Sequence, residues 1–153
     1  MQKFPPLSLY VHIPWCVQKC PYCDFNSHAQ KGTIPEQEYV QHLIADLEAD
    51  LEKYQASIQN RPLHSIFIGG GTPSLFSAES IKLLLAEIQR HIPFSENIEI
   101  TMEANPGTVE AERFKGYVDA GVTRISMGVQ SFQQETSLML RLQRLIQSMC
   151  TIS

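Results

Sequence analysis

The 153-residue chain is short of positive charge: twelve lysines and arginines stand against sixteen aspartates and glutamates, a formal net charge of −4. No basic stripe runs along it. Nucleic acid is therefore not an expected partner, because such binding rests on clustered cations that neutralise phosphates. The chain also lacks any apolar run approaching the roughly 18 residues of a membrane span, so no transmembrane segment is expected. Met1-Gln-Lys-Phe-Pro-Pro has none of the apolar stretch that marks a secretory leader. A reduced, cytoplasmic compartment is the expectation, and with it free thiols rather than disulfides. Neither internal repeats nor a low-complexity linker interrupts the sequence. Its 43% hydrophobic and 18% charged residues exclude bulk disorder and suit a globular protein, one domain by length. Glycine and cysteine are scarce, at eight and four residues. Their placement is uneven: three glycines are consecutive at 69–71, and three cysteines fall within eight residues.

Those cysteines, Cys16, Cys20 and Cys23, have the spacing C-x₃-C-x₂-C. Three thiolates can hold three irons of a cubane cluster, leaving the fourth iron without a protein ligand. Four cysteines would close a cluster for electron transfer; an open metal position is instead a binding site. A structural zinc site is the competing reading, with His28 or His12 as fourth ligand. Structural zinc ligands usually come as two separated pairs, and no second pair is present. Cys150 lies far from the motif and reads as incidental.

Four short apolar runs, Leu7–Ile13, Ser65–Ile68, Ile98–Met102 and Arg124–Val129, are rich in β-branched residues. They read as strands of a parallel sheet buried on both faces. Helical patterns lie between them. Over residues 36–54, Tyr39, Leu43, Leu47, Leu51 and Tyr54 recur at intervals of three or four and share one face, with His42 on the solvent side. Thr33 and Glu36 form an expected capping box, with Pro35 in the first turn. Ser77 is expected to cap a second helix that reaches about His91 and ends before Pro93. Thr108 is expected to cap a third that stops at Ala120-Gly121, and a last helix covers about 134–149. The order β-α-β-α-β-α-β-α implies parallel strands joined by right-handed crossovers. It leaves open a doubly wound sheet or part of a barrel, since a full eight-fold barrel needs about 250 residues.

Ligands of parallel α/β folds sit at the carboxyl ends of the strands, and each of these strands ends in something unusual. The first runs into the cysteines. The second runs into Gly69-Gly70-Gly71-Thr72-Pro73, where the missing Cβ atoms let backbone approach a ligand closely. No Gly-Lys-Ser/Thr follows, so this is not a triphosphate loop. The third ends in Glu103-Ala-Asn-Pro-Gly, whose carboxylate can accept hydrogen bonds from a ribose diol or serve a structural ion pair. The fourth ends in Gly128-Val-Gln130-Ser-Phe, where Gln130 offers a donor and an acceptor.

Taken together, C-x₃-C-x₂-C, Tyr10-Val-His-Ile-Pro-Trp-Cys, Cys-Pro-Tyr-Cys-Asp-Phe, Gly-Gly-Gly-Thr-Pro, Glu-Ala-Asn-Pro-Gly and Gly-Val-Gln-Ser-Phe resemble the radical S-adenosylmethionine (SAM) superfamily. Within it they resemble the family of oxygen-independent coproporphyrinogen III oxidases and heme chaperones, over residues 7–135. The resemblance implies four βα units of a partial, TIM-like radical SAM barrel. It implies a [4Fe–4S] cluster on Cys16, Cys20 and Cys23, with SAM on the open iron. Gly70, Gly71 and Thr72 would contact the methionine part of SAM, and Glu103 and Gln130 the ribose side. Tyr10 and Tyr22 would flank the cofactor near the cluster, and His12 could line the site. In that superfamily the reduced cluster cleaves SAM, chemistry that belongs to the cofactor. The oxidases resembled have a further cysteine two positions after the third and an N-terminal extension; here that position is Phe25. Both departures imply the heme-chaperone branch, with heme as cargo, a heme-acceptor protein as partner and a reductant for the cluster. Coproporphyrinogen III oxidation is the alternative. Residues 136–153 depart from the family pattern, which implies a core domain at 1–135, a divergent tail after it, and a chain truncated or frameshifted near residue 136. Half a barrel would leave an edge strand unpaired and prone to association.

Overall fold

A computed structural model describes residues 4–20, 22–58, 60–105 and 111–128. The expected helix at 134–149, the boundary at residue 135, the Thr108 cap, Gln130 and Cys150 lie outside these residues. The described chain begins with strand β1 (Leu7–Ile13), then a pair of two-residue strands, β2 (Trp15–Cys16) and β3 (His28–Ala29). Helix α1 (Glu36–Lys53) and the single turn α2 (Gln55–Ile58) lead to β4 (Leu63–Gly70). A 3₁₀ turn, Pro73–Leu75, precedes α3 (Ala78–His91), followed by β5 (Phe94–Ala104), α4 (Ala111–Ala120) and β6 (Arg124–Met127).

The main sheet has the order β1-β4-β5-β6, and every pair is parallel. Each strand therefore lies beside its successor, with a helix in each crossover. Among the described residues there is no reversal of strand order, and so no switch point of the doubly wound kind. This progression is that of a barrel, and it decides between the two closures open to the sequence. A mixed α/β fold with a parallel central sheet, wound as part of a barrel, is what the described residues form.

The core fills the space between one sheet face and the helices. Val11, Ile13, Ile66, Ile68, Ile100 and Met102 on the strands meet Val40 and Leu47 of α1, Ile81, Leu84, Leu85 and Ile88 of α3, and Tyr117 of α4. Of the stripe expected on α1, Leu47 is buried and Tyr39, Leu43 and Leu51 pack partly buried against the core, whereas Tyr54 is the exposed C-cap and Val40, outside the stripe, is buried. Ser77 caps α3 by accepting from the Ser80 amide at 3.2 Å.

Two expectations fail. Thr33 and Glu36 form no capping box: the cap position of α1 is Pro35, without a side-chain bond. Glu36 instead accepts from the Ser77 amide at 3.0 Å and its hydroxyl at 2.6 Å, joining the start of α1 to the start of α3. Nor are the strands buried on both faces. Opposite the helices, the sheet presents Ser8, Tyr10, Phe67, Glu99 and Arg124, all exposed or hydrogen-bonded to one another. Residues alternate across a strand, and here the alternate positions are polar or aromatic because this face is the concave, inner side of an incomplete barrel.

Replacing Leu84, 1% exposed, by alanine should cost about 2–5 kcal/mol through lost burial and a residual cavity. Leu83→Ala on the exposed side of the same helix should cost well under ~1 kcal/mol. Urea unfolding of the two variants checks the pair.

Candidate functional site

The cysteine loop leaves the sheet at Pro14 and is closed at its base. Trp15 and Cys16 pair in parallel with His28 and Ala29. The His28 amide donates to the Pro14 carbonyl at 3.0 Å, and the Gln30 amide to the Cys16 carbonyl at 2.8 Å. Trp15 anchors this base against the core: its ring lies edge-on to Tyr39, with centroids 4.6 Å apart, and 5.8 Å from fully buried Phe76. Tyr39 in turn donates to the His12 carbonyl at 2.9 Å. Cys16 sits in the pinned base itself, and the loop beyond it carries Cys20 and Cys23. A turn at its tip sends the Cys23 amide to the Cys20 carbonyl at 3.1 Å, and the Cys23 sulfur lies 4.0 Å from the Ser27 hydroxyl.

The glycine loop lies directly behind this base. The Gly71 amide donates to the Ile13 carbonyl and the Thr72 amide to the Trp15 carbonyl, both at 2.7 Å. A Cβ on Gly71 would stand 2.5 Å from the Trp15 carbonyl oxygen; one on Gly70 would stand 2.8 Å from both the His12 ring and the Ile13 carbonyl. Gly70 also has φ +119°, a conformation that side chains disfavour. The close approach inferred from the sequence is thus first of all to the protein's own cysteine loop.

Glu103, at the end of β5, completes the floor. One of its oxygens accepts from the Gly70 amide at 3.2 Å. The Ala104–Met127 and Glu103–Ser126 register brings Ser126 beside it on the same face. On β1, His12 bridges sheet and loop. Its Nε2 donates to the Asn26 carbonyl at 2.7 Å, so in the neutral ring Nδ1 accepts from the Tyr10 hydroxyl at 2.8 Å. Burial, and secondarily the Glu103 charge, push the Tyr10 phenol above its ordinary pKa, which keeps it a donor. Tyr10 stacks on Phe67, with centroids 6.2 Å apart and planes 19° apart.

These parts enclose a cavity of about 680 Å³. Cys16, Cys20, Tyr22 and Cys23 line one side, and Gly70, Gly71, Thr72 and Glu103 the other. Eight of the eleven residues singled out by sequence therefore share one space, and His12 is not among them. Tyr10 does not line it; it stands 57% exposed on the concave face, linked to the site through His12. Gln130 is outside the described residues. Sequence reasoning missed Asp24, Asn105 and Ser126 as lining residues. Ser126 had a usable signal, since it is two residues before the glycine that ends its strand.

The donor set discriminates between metals. The three cysteines are free and partly exposed. Among the described residues, no three His, Cys, Asp or Glu side chains gather closely enough to hold one ion. Zinc needs four ligands at about 2.0–2.3 Å. Both ring nitrogens of His12 are engaged elsewhere, and exposed His28 packs its ring against Trp15. Three thiols spread around one cavity instead suit a cluster in which each binds a different iron.

A parallel strand–helix half-barrel bearing spaced thiols, a glycine loop and a carboxylate at its strand ends defines a cofactor-binding barrel protein. The family model of the radical SAM superfamily matches residues 10–151, and the chain belongs to that superfamily. Membership implies a [4Fe–4S] cluster and SAM as cofactors. The chain is 72% identical over 145 residues to the heme chaperone HemW of Haemophilus influenzae, covering 95% of this chain and 37% of that protein. It is 61% identical over 135 residues to HemW of Escherichia coli, covering 88% and 35%. Its fold superposes on coproporphyrinogen III oxidase (HemN) of Escherichia coli, described as a radical SAM enzyme, with TM-score 0.71 and 29% identity, over 89% of this chain and 30% of that one. The chain thus spans about a third of the length of these relatives. Among the described residues, no helix is long and apolar enough to cross a membrane.

Gly71→Ala should force the Trp15 carbonyl away and break the bond from Thr72 that depends on it. The expected outcome is a folded chain, by circular dichroism, that binds much less iron on anaerobic reconstitution. Parental iron content would show that the close approach is dispensable.

Proposed function

We propose that this chain carries the cluster- and SAM-binding part of a heme chaperone of the HemW kind. The observation that carries the proposal is one cavity lined by three free thiols, the Gly70–Thr72 loop and Glu103 together. In this reading Cys16, Cys20 and Cys23 would hold three irons of a [4Fe–4S] cluster, leaving the fourth open to SAM. Gly70, Gly71 and Thr72 meet the methionine part of SAM, while Glu103 and Gln130 meet the ribose. A carboxylate has about four lone-pair sites, so Glu103 can accept from a diol while still holding the Gly70 amide. Tyr22 flanks the cofactor from the loop, and Tyr10 supports it through His12. When bound, the cluster supplies one-electron reduction of SAM. The chain's own residues orient SAM and limit water around it.

Heme as cargo, an acceptor protein, a reductant for the cluster and a cytoplasmic location belong to the same proposal. They rest on the identity to proteins named heme chaperones. A second reading, coproporphyrinogen III oxidation, is favoured by the superposition on HemN. Phe25, at the position where the oxidases resembled have a further cysteine, weighs against it, as does the higher identity to heme chaperones.

Electron paramagnetic resonance of the reconstituted, dithionite-reduced protein tests the site. A [4Fe–4S]⁺ signal that shifts when SAM is added is expected, and Cys20→Ala should abolish it; zinc alone, with no such signal, would refute the proposal. Glu103→Gln should retain the signal but require roughly tenfold more SAM for the same shift, the loss of about one charge-assisted hydrogen bond. Heme titration of the same preparation separates the two readings, since stable heme binding without porphyrinogen turnover is expected.

A further inference from the structure

The proposed SAM loop has two ends, and only one is fixed by the cysteine loop. Gly70, Gly71 and Thr72 are tied forward, to Glu103, Ile13 and Trp15. At the other end, the 3₁₀ turn Pro73–Leu75 makes two short-range bonds: the Leu75 amide to the Thr72 carbonyl and the Phe76 amide to the Pro73 carbonyl, both 3.0 Å. Two carbonyls here, those of Ser74 and of the following Phe76, are captured from α4. The Tyr117 hydroxyl reaches the Ser74 carbonyl at 2.9 Å and the Phe76 carbonyl at 2.8 Å. Arg113, one turn earlier on α4, donates a second bond to the Ser74 carbonyl at 3.2 Å. Tyr117 is 1% exposed, Phe76 and Ser74 are 0%, so water does not substitute for the phenol there. Gly116, between the two side chains, has the Cβ of Ala78 2.9 Å from where its own Cβ would be, so α4 lies as close to the start of α3 as backbone allows.

We propose that Tyr117 is a positioning residue for the SAM site: its hydroxyl, seconded by Arg113, clamps the back of the Thr72–Phe76 turn and so fixes Gly71 and Thr72 at the cavity wall. The inference rests on the SAM reading of the glycine loop. It does not involve the cysteine loop, which has its own anchors in the β2–β3 ladder and Trp15. A clamp acting on the turn alone must therefore affect SAM without affecting the cluster. A plain packing role would lower stability and both functions together.

Tyr117→Phe keeps the ring and removes the donor; Arg113→Met removes only the second donor. Val118→Ala, on the exposed side of the same helix, is the control. Hydrogen exchange of the Leu75 and Phe76 amides is compared with that of the Ile66 and Ile68 amides in the reconstituted full chain. In parallel, SAM is titrated against the cluster signal. Tyr117→Phe should speed exchange at the turn but not in β4. It should keep parental iron content and weaken SAM binding about three- to tenfold, the range expected for one buried hydrogen bond. Arg113→Met should do the same to a smaller extent, and Val118→Ala should do neither.

Unchanged exchange at the turn overturns the clamp. So does unchanged SAM affinity with a loosened turn. Should Tyr117→Phe fail to fold, Arg113→Met decides, and parental behaviour in it overturns the proposal. A parent chain that binds the cluster but shows no response to SAM would overturn the SAM reading and this inference with it, whereas a responsive parent whose Tyr117→Phe variant binds SAM with parental affinity overturns this inference alone.

Discussion

Everything at the strand ends depends on two backbone hydrogen bonds, from the Gly71 amide to the Ile13 carbonyl and from the Thr72 amide to the Trp15 carbonyl. They dock the loop after β4 onto the loop after β1, at a distance that excludes any side chain at position 71. Without that docking, the thiols and the glycine loop would be two separate surface features. With it, they are opposite walls of one cavity. Backbone groups buried at such a seam must find partners, and here each loop supplies the partners of the other. The seam is further held from below by Trp15 against Tyr39 and Phe76, so the core itself sets the position of the cysteines.

The two faces of the sheet have divided roles. The helical face is apolar and supplies the stability. The concave face carries hydrogen-bonded pairs across neighbouring strands: Ser65 with Ser8 at 2.8 Å, and Arg124 with Glu99 at 3.0 Å. The Arg124 guanidinium and the Thr101 hydroxyl lower the Glu99 carboxyl below its usual range, the hydroxyl being the larger influence. Ion pairs this exposed contribute little to stability. Their consistent placement on one side instead keeps that side wettable, which a barrel interior leading to a polar cofactor site requires. His12 uses the same face to reach outwards, carrying the position of Tyr10 and β1 to Asn26, beyond the last cysteine.

Much of this was legible in the chain. Periodicity located α1 and α3, and the apolar runs located the cores of four strands, because both patterns follow from local geometry. The strand-end principle brought Cys16, Cys20, Cys23, Gly70, Gly71, Thr72 and Glu103 into one expected site, the family resemblance added Tyr22, and one cavity receives these eight. What stayed hidden was tertiary. Thr33 and Glu36 satisfy a local capping pattern, yet Glu36 finds a better partner in Ser77, 41 residues away. The two-residue ladder of Trp15–Cys16 with His28–Ala29 is too short to leave a pattern. Tyr10 reads as a ligand contact from its motif, but alternation along β1 turns it to the concave face, where it does not line the cavity and is hydrogen-bonded to His12.

The glycines illustrate why motif and mechanism are hard to separate. A run of three invites the idea of a ligand cradle, and the cavity does touch Gly70 and Gly71. Yet the amides of Gly71 and Thr72 already point into the protein, at Ile13 and Trp15, and the Gly70 amide points at Glu103. These donors are not available to SAM. What the loop can offer a ligand is its shape, its carbonyls and the Thr72 hydroxyl, while Glu103 offers a carboxylate already fixed in direction by Gly70. The site therefore favours a ligand that brings its own donors, as an α-amino group and a ribose diol do. A phosphate brings only acceptors and would find no free backbone amide among these three.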